Sequence, residues 1–162
     1  MAAVYLTRVG YQRLHAELRE LIEVRRPQVM ADLTQAREYG DIRENAEYEV
    51  AKRDQGVIEG RIHELEAMLA SVEIITVPAE FREVMLGTRV AVENLDFELR
   101  SEYLLVGEQE AHLDEAHLSA ESPLGRALLG SKVGDVVTFE APAGVRRFKV
   151  LGLQRALSDD EE

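Results

Sequence analysis

The residues best suited to chemistry lie near position 40, where two carboxylates stand three positions apart. They are Asp41 and Glu44, within the string Gly40-Asp41-Ile42-Arg43-Glu44-Asn45-Ala46-Glu47-Tyr48. Carboxylate oxygens bind hard cations such as Mg²⁺ and can orient or deprotonate a water molecule. Because Mg²⁺ prefers six oxygen ligands, two carboxylates are too few to hold the ion alone. Metal chemistry at this string would need further ligands from a partner.

The same two acids also fit a purely structural role. Asp41 and Glu44 form a D-x-x-E signature that caps the start of a helix, and acids there are favoured by the helix dipole. Gly40 is suited to end the preceding helix. Capping and metal binding are compatible, because a carboxylate has more acceptor sites than a cap uses. Both interpretations therefore stay open on the residues alone.

Long helical patterns run into and out of this string. Thr7 is a suitable N-cap for the first helix, whose register of apolar residues moves by one position beyond Pro27. We expect a bend at Pro27, because proline lacks a backbone donor and crowds the preceding turn; two separate helices are the alternative. The second helix has a heptad seam at Tyr48, Ala51, Gln55, Ile58, Ile62, Leu65 and Leu69. The pattern predicts an antiparallel hairpin over residues from about 8 to 72, with the acids at its bend.

The pattern changes after this hairpin to short β-branched segments separated by turns. Strands are predicted at Val72–Val77, Val90–Val92, Tyr103–Val106, Val133–Phe139 and Arg146–Leu153. One short helix is predicted between them, with Ser122 as N-cap, Pro123 at its first position and Gly130 at its end. This part is predicted to be a small α+β domain, which makes the whole chain α+β.

Composition limits the classes of function. The 162 residues include 19 basic and 31 acidic side chains, a formal net charge of -12, which argues against broad binding to nucleic acid. There is no cysteine, which fits a reducing compartment. Neither a signal peptide nor an apolar run of about 18 residues is present, so we expect a cytoplasmic protein with no membrane association.

The string around Asp41 and several shorter motifs resemble the bacterial Gre transcript-cleavage factors. The similarity covers nearly the whole chain, and the Gly40–Tyr48 string is its most specific part. Other matching segments include Arg26-Pro27, Glu59-Gly60-Arg61-Ile62, Glu110-Ala111 and Ser122-Pro123-Leu124-Gly125. The resemblance implies a coiled-coil hairpin at residues 1–78 and a domain similar to FKBP-type prolyl isomerases at 79–157. The residues at 158–162 themselves indicate an acidic tail.

The resemblance also implies a function in transcription elongation. Such factors are accessory proteins, not enzymes: they insert the hairpin tip into the secondary channel of RNA polymerase and stimulate cleavage of backtracked RNA. Asp41 and Glu44 would then help to hold a Mg²⁺ shared with the polymerase, and no cofactor is expected in isolation. Glu47, one turn beyond Glu44, has a supporting role at most. The expected partners are the polymerase and the 3′ end of the nascent RNA, and we expect a monomer.

Four more residues receive roles from the resemblance. Arg37 and Lys52 match positions near the RNA 3′ region and are expected to contact phosphate; ion pairs with Glu38 or Glu49 are the alternative. Ser122 and Pro123 are expected to dock on the polymerase, with a plain helix cap as the alternative.

Two other functions remain open. One is an inhibitory Gre-like paralogue that occupies the channel without stimulating cleavage, which the intact acids at Asp41 and Glu44 disfavour. The other, from a different class, is a prolyl isomerase or chaperone, suggested by the implied fold of the second domain.

Overall fold

The computed structural model describes residues 3–38 and 42–156, with the side chains of residues 42–45 excepted. The chain forms two compact units. One comprises Tyr11–Ser71, and the other comprises the described residues up to Gly10 together with those from Val72 onward. The predicted domains, divided after residue 78, placed the N-terminal segment with the hairpin. In the structure the described residues up to Gly10 belong to the second unit instead. No helix in the described part of the chain is long and apolar enough to cross a membrane.

The first unit is built from long helices. Helix α1 spans Arg8–Glu20, a π-helical segment spans Leu21–Arg25, and α2 spans Arg26–Glu38, so residues 8–38 are helical throughout. Helix α3 spans Ile42–Ala70. The alternative of two separate helices around Pro27 is therefore wrong, and the expected irregularity is the π-helical segment. Its wider turn accommodates the ring of Pro27 and inserts one residue, which explains the shift in apolar register.

Helices α2 and α3 pack along the predicted seam. Val29 and Leu33 of α2 are buried against Ala51, Ile58 and Ile62 of α3, with Leu18, Leu21, Ile22 and Tyr48 half-buried beside them. At the far end of α3, Leu65 and Met68 are buried while Leu69 is half-buried. Met68 was missed because a helix of 3.6 residues per turn drifts from a strict heptad.

Two ion pairs flank this seam. The Arg26 guanidinium donates to both carboxylate oxygens of Glu59 at 2.7 and 2.9 Å. The Arg61 guanidinium donates to both of Glu17 at 2.9 and 3.0 Å. The geometry of these bidentate pairs fixes the register of one helix against the other. Their contribution to the stability of the hairpin is small, because the side chains are partly exposed.

The second unit contains two sheets. Strands β1 (Val4–Leu6) and β2 (Val72–Ile74) form a parallel pair. The larger sheet has the order β5-β4-β3-β7-β6. Its strands are β3 (Thr88–Asn94), β4 (Leu99–Val106), β5 (His117–Ser119), β6 (Val136–Ala141) and β7 (Gly144–Arg155). All neighbours are antiparallel except β4 and β5.

The core of this unit lies between the large sheet and helix α4 (Pro123–Leu128). Its buried residues are Val84, Val90, Val92, Leu105, Leu124, Leu128, Phe148 and Val150. The α+β class is confirmed. Strands β1 and β5 were not predicted, because three residues carry too little periodicity to signal a strand. The similarity to FKBP-type isomerases stays a prediction.

The seam predicts a stability difference between two positions on α3. Ile62 is 2% exposed, whereas Val57 is 68% exposed. Ile62→Asp places an unpaired charge in the buried strip and is expected to destabilise the hairpin by about 4 kcal/mol, whereas Val57→Asp should cost little. Circular dichroism during thermal unfolding measures both. Equal melting of the two variants would contradict the assigned seam.

Candidate functional site at the hairpin tip and the α4 start

The two acids singled out by the sequence fall at the edge of what the structure describes. Asp41 and the side chain of Glu44 lie outside the described residues, and α3 begins at Ile42. Their predicted roles in capping, metal binding and catalysis therefore stay predictions. Glu47, the third acid of the string, is described and exposed. The described residues nearest to them in sequence belong to α2 and α3.

One flank of the hairpin carries basic side chains. The guanidinium of Arg37, near the end of α2, lies 5.7 Å from the ring centroid of Tyr48, a cation–π contact between the two helices. Lys52 follows Tyr48 by four positions and so shares its face of α3; its Nζ lies 3.4 Å from Gln55 Oε1. Both cations are exposed. Within the described part of the chain, neither forms the ion pair with Glu38 or Glu49 that was the alternative.

The other flank is acidic. An open cleft of about 400 Å³ lies there, lined by Asp32, Gln35, Ala36, Ala46, Glu47, Val50, Ala51 and Asp54. Glu47 and Asp54 are seven positions apart and therefore on the same side of α3, away from Lys52. The seam thus separates a surface attractive to phosphate from one that repels it. The separation of charge between the two flanks was not predicted, because each flank is formed jointly by α2 and α3 and depends on how the two helices pair.

The start of α4 is a built cap. Ser122 Oγ accepts from the backbone N–H of Gly125 at 3.0 Å and donates to the Ser119 carbonyl at 2.6 Å. Gly125 is required here, because a Cβ would lie 2.0 Å from the Ser119 oxygen. Pro123, at the first helical position, is exposed. The cap interpretation of Ser122 is confirmed. Docking of Ser122 and Pro123 on the polymerase stays a prediction.

Two acids lie beside this cap. Glu108 and Glu121 both line a cavity of about 170 Å³, and Tyr5 lines it as well. The hydrogen bond to Glu121, followed by the charge of that carboxylate, raises the pKa of Glu108. The proximity of these acids to Ser122 and Pro123 was not predicted, because it arises from folding of the chain and not from spacing.

A resident metal site is not evident in the described residues. Among residues 3–38 and 42–156, side chains of described position form no group of three or more His, Cys, Asp or Glu able to hold an ion. The donor chemistry of Asp41 and Glu44 suits Mg²⁺, since both offer carboxylate oxygens. That they hold a Mg²⁺ shared with a partner stays a prediction.

Comparison with known families settles the relationship. A family model for the N-terminal domain of the GreA/GreB transcription elongation factors matches residues 4–74, and a model for their C-terminal domain matches residues 79–155. The chain belongs to the GreA/GreB family of transcription elongation factors. As a member, it is an accessory factor that works with RNA polymerase.

Individual GreA proteins are similar over almost their full length. GreA of Thermotoga petrophila is 44% identical over 153 residues, covering 94% of this chain and 98% of its own. GreA of Caulobacter sp. strain K31 is 42% identical over 155 residues, covering 95% and 99%. The relationship therefore includes both the hairpin and the second unit.

Two solved structures are also similar. GreA factor homolog 1 (Gfh1) of Thermus thermophilus is 33% identical, with a TM-score of 0.44 and coverage of 94% of this chain and 99% of its own. A GreA/GreB factor of Nitrosomonas europaea is 18% identical, with a TM-score of 0.41 and coverage of 95% and 99%.

The paired acids predict a pH-dependent stability. Above its raised pKa the Glu108 carboxylate is charged and is repelled by Glu121, so Glu108→Gln should raise the unfolding temperature relative to wild type. As the pH falls through that pKa, the wild type binds a proton and the difference should shrink. Differential scanning calorimetry across a pH series measures it. Glu121→Gln should behave alike, and a difference that grows on acidification would contradict the pairing.

Proposed function

We propose that this factor stimulates the endonucleolytic cleavage of backtracked RNA by RNA polymerase, with its hairpin tip inserted in the secondary channel. The observation that carries the proposal is the intact Gly40–Tyr48 string at the junction of two long packed helices, in a chain that matches both Gre domains. A hairpin of helices this long suits delivery of a small group of side chains into a narrow site. Stalled complexes would thereby return to elongation.

The tip supplies carboxylates to a site completed by the polymerase. Asp41 and Glu44 would add oxygen ligands to a Mg²⁺ that is otherwise weakly held there. When bound, such an ion activates water and stabilises the leaving oxygen in phosphodiester hydrolysis. The two side chains would hold the ion and orient the attacking water, which makes the factor an accessory to hydrolysis.

The basic flank of the hairpin would face the RNA. Arg37 is held against Tyr48, and Lys52 lies on the same face, whereas the acidic cleft occupies the opposite flank. Phosphate would be attracted to the first surface and repelled by the second. Contacts of this kind position RNA and do not read its sequence.

The tip variants test the mechanism directly. Asp41→Asn and Glu44→Gln nearly preserve shape, and asparagine is as good an N-cap as aspartate. Each is expected to abolish most stimulation of cleavage in backtracked elongation complexes, while the double variant still competes with wild type for polymerase. Raising Mg²⁺ should partly rescue the single variants, because a weakened site fills by mass action.

The same assay can also contradict this mechanism. Near-wild-type stimulation by the double variant at low Mg²⁺ would show that the acids only cap α3. Failure of the wild type itself to stimulate cleavage, together with binding to polymerase, would instead favour the inhibitory function.

A variant of the predicted docking residue Pro123 should change binding to polymerase and not the maximal cleavage rate. Pro123 is exposed, so Pro123→Ala is expected to leave the fold intact, because Ser122 still caps α4. If the Pro123 ring contacts polymerase, the half-saturating concentration of the factor should rise while the maximal cleavage rate is retained. A titration of factor against cleavage rate measures both quantities. An unchanged half-saturating concentration would remove Pro123 from the docking surface.

A further inference from the structure

The open cleft on the acidic flank of the hairpin lies entirely within the first unit. Three carboxylates line it, from Asp32 of α2 and from Glu47 and Asp54 of α3. All three residues are exposed. Within the described part of the chain, none of these carboxylates forms an ion pair. The cleft therefore gathers negative charge from both helices at one place.

Farther along the same flank the charges are matched. Asp54 and Arg61 are seven positions apart on α3 and so lie on the same side of the helix. The Arg61 guanidinium donates to both carboxylate oxygens of Glu17 on α1. At the cleft, by contrast, Asp54 and Asp32 line the same space from two helices, and no described lining residue is basic. Like charges therefore repel each other where the next heptad has an ion pair.

The cleft also has an apolar base. Ala36 and Ala51 both line it, and each is only 6% exposed. Their short side chains leave space at this level of the seam, whereas the larger Leu33 and Ile58 fill the seam nearby. Val50 lines the cleft from α3 and is 52% exposed. The surface is thus apolar at its base and charged at its rim.

This combination suits one class of occupant. Lys and Arg have an apolar stem and a cationic head, so the stem can pack on the alanines while the head meets the carboxylates. Nucleic acid is disfavoured, because its phosphates would be repelled. Val50 and Val57 lie on one side of α3 and are 52% and 68% exposed, and they offer apolar contacts to residues beside the cation. The complementary partner is therefore a basic, partly apolar polypeptide segment.

We propose that the cleft is a docking site for a basic side chain of RNA polymerase, carried on a segment with apolar residues beside it. The inference goes beyond the proposed function, because it requires binding to polymerase but no cleavage of RNA. Asp32 and Asp54 neutralise the incoming cation, and Val50 contacts its apolar neighbours. Binding of the cation also relieves the repulsion between the carboxylates in the free hairpin.

Neutral variants of the full-length factor test the docking role. Asp32→Asn and Asp54→Asn each remove one charge and nearly preserve shape. Each is expected to raise several-fold the concentration needed to displace labelled wild type from polymerase, and binding by the double variant should depend less on salt. The free variants should melt at the wild-type temperature or above it, because repulsion is removed. Glu49→Gln is the matched control, since Glu49 is exposed on α3 but does not line the cleft, and it should compete like wild type.

A crosslinking experiment identifies the occupant. The chain has no cysteine, so Val50→Cys provides a single attachment point for a photoactivated crosslinker. In the complex with polymerase, the crosslinked peptide is expected to belong to polymerase and to contain Lys or Arg. Its yield should fall several-fold when Asp32→Asn and Asp54→Asn are added. Glu49→Cys, which places the label outside the cleft, should not show this dependence.

The same two measurements can overturn the docking role. Competition at the wild-type level by the double variant would remove it, and a lowered melting temperature in that variant would give the acids a structural role instead. Crosslinks from Val50→Cys to RNA or to a second copy of the factor would also contradict it. A wild type that shows the expected competition and crosslinks but does not stimulate cleavage would refute only the proposed function and would support the docking site.

Discussion

The hairpin depends on an apolar strip, in which Val29 and Leu33 of α2 are buried against Ala51, Ile58 and Ile62 of α3. Outside this strip most exposed side chains of the described helices are polar or charged, although Val24, Val50 and Val57 are also exposed. Burial of the strip is therefore the main way in which these helices remove apolar surface from water. Antiparallel packing of α2 against α3 follows. Arg26 with Glu59 and Arg61 with Glu17 then select one register among those that the strip would allow.

Much of this arrangement was readable from the sequence. The heptad of α3 specified its buried face, and the Ser122-Pro123 pair specified the start of α4, because both signals are local. The displaced register around Pro27 was also visible, but its cause was not. A bend and a π-helical turn produce similar patterns, and the choice between them depends on how the carbonyls upstream of Pro27 are accommodated.

Long-range contacts could not be predicted in the same way. Glu110 and Thr7 are 103 positions apart, and neither residue type announces the other. Strand β1 forms only because β2 is brought beside it, since three residues have no independent preference for a strand. The opposite charges of the two hairpin flanks likewise became apparent only when α2 and α3 were paired. The site was thus foreseeable as a set of residues but not as a surface.

The parallel pairing of β1 with β2 has a consequence for how such a chain can vary. The chain leaves one strand, completes the entire hairpin and re-enters at the adjacent strand, so the hairpin is an insertion within a unit that closes on both sides of it. An insertion whose two ends are neighbours can be lengthened or shortened without separating them. Paired gain or loss of heptads in both helices would preserve the seam and alter only its reach. Evolution could therefore have changed the length of the hairpin independently of the second unit.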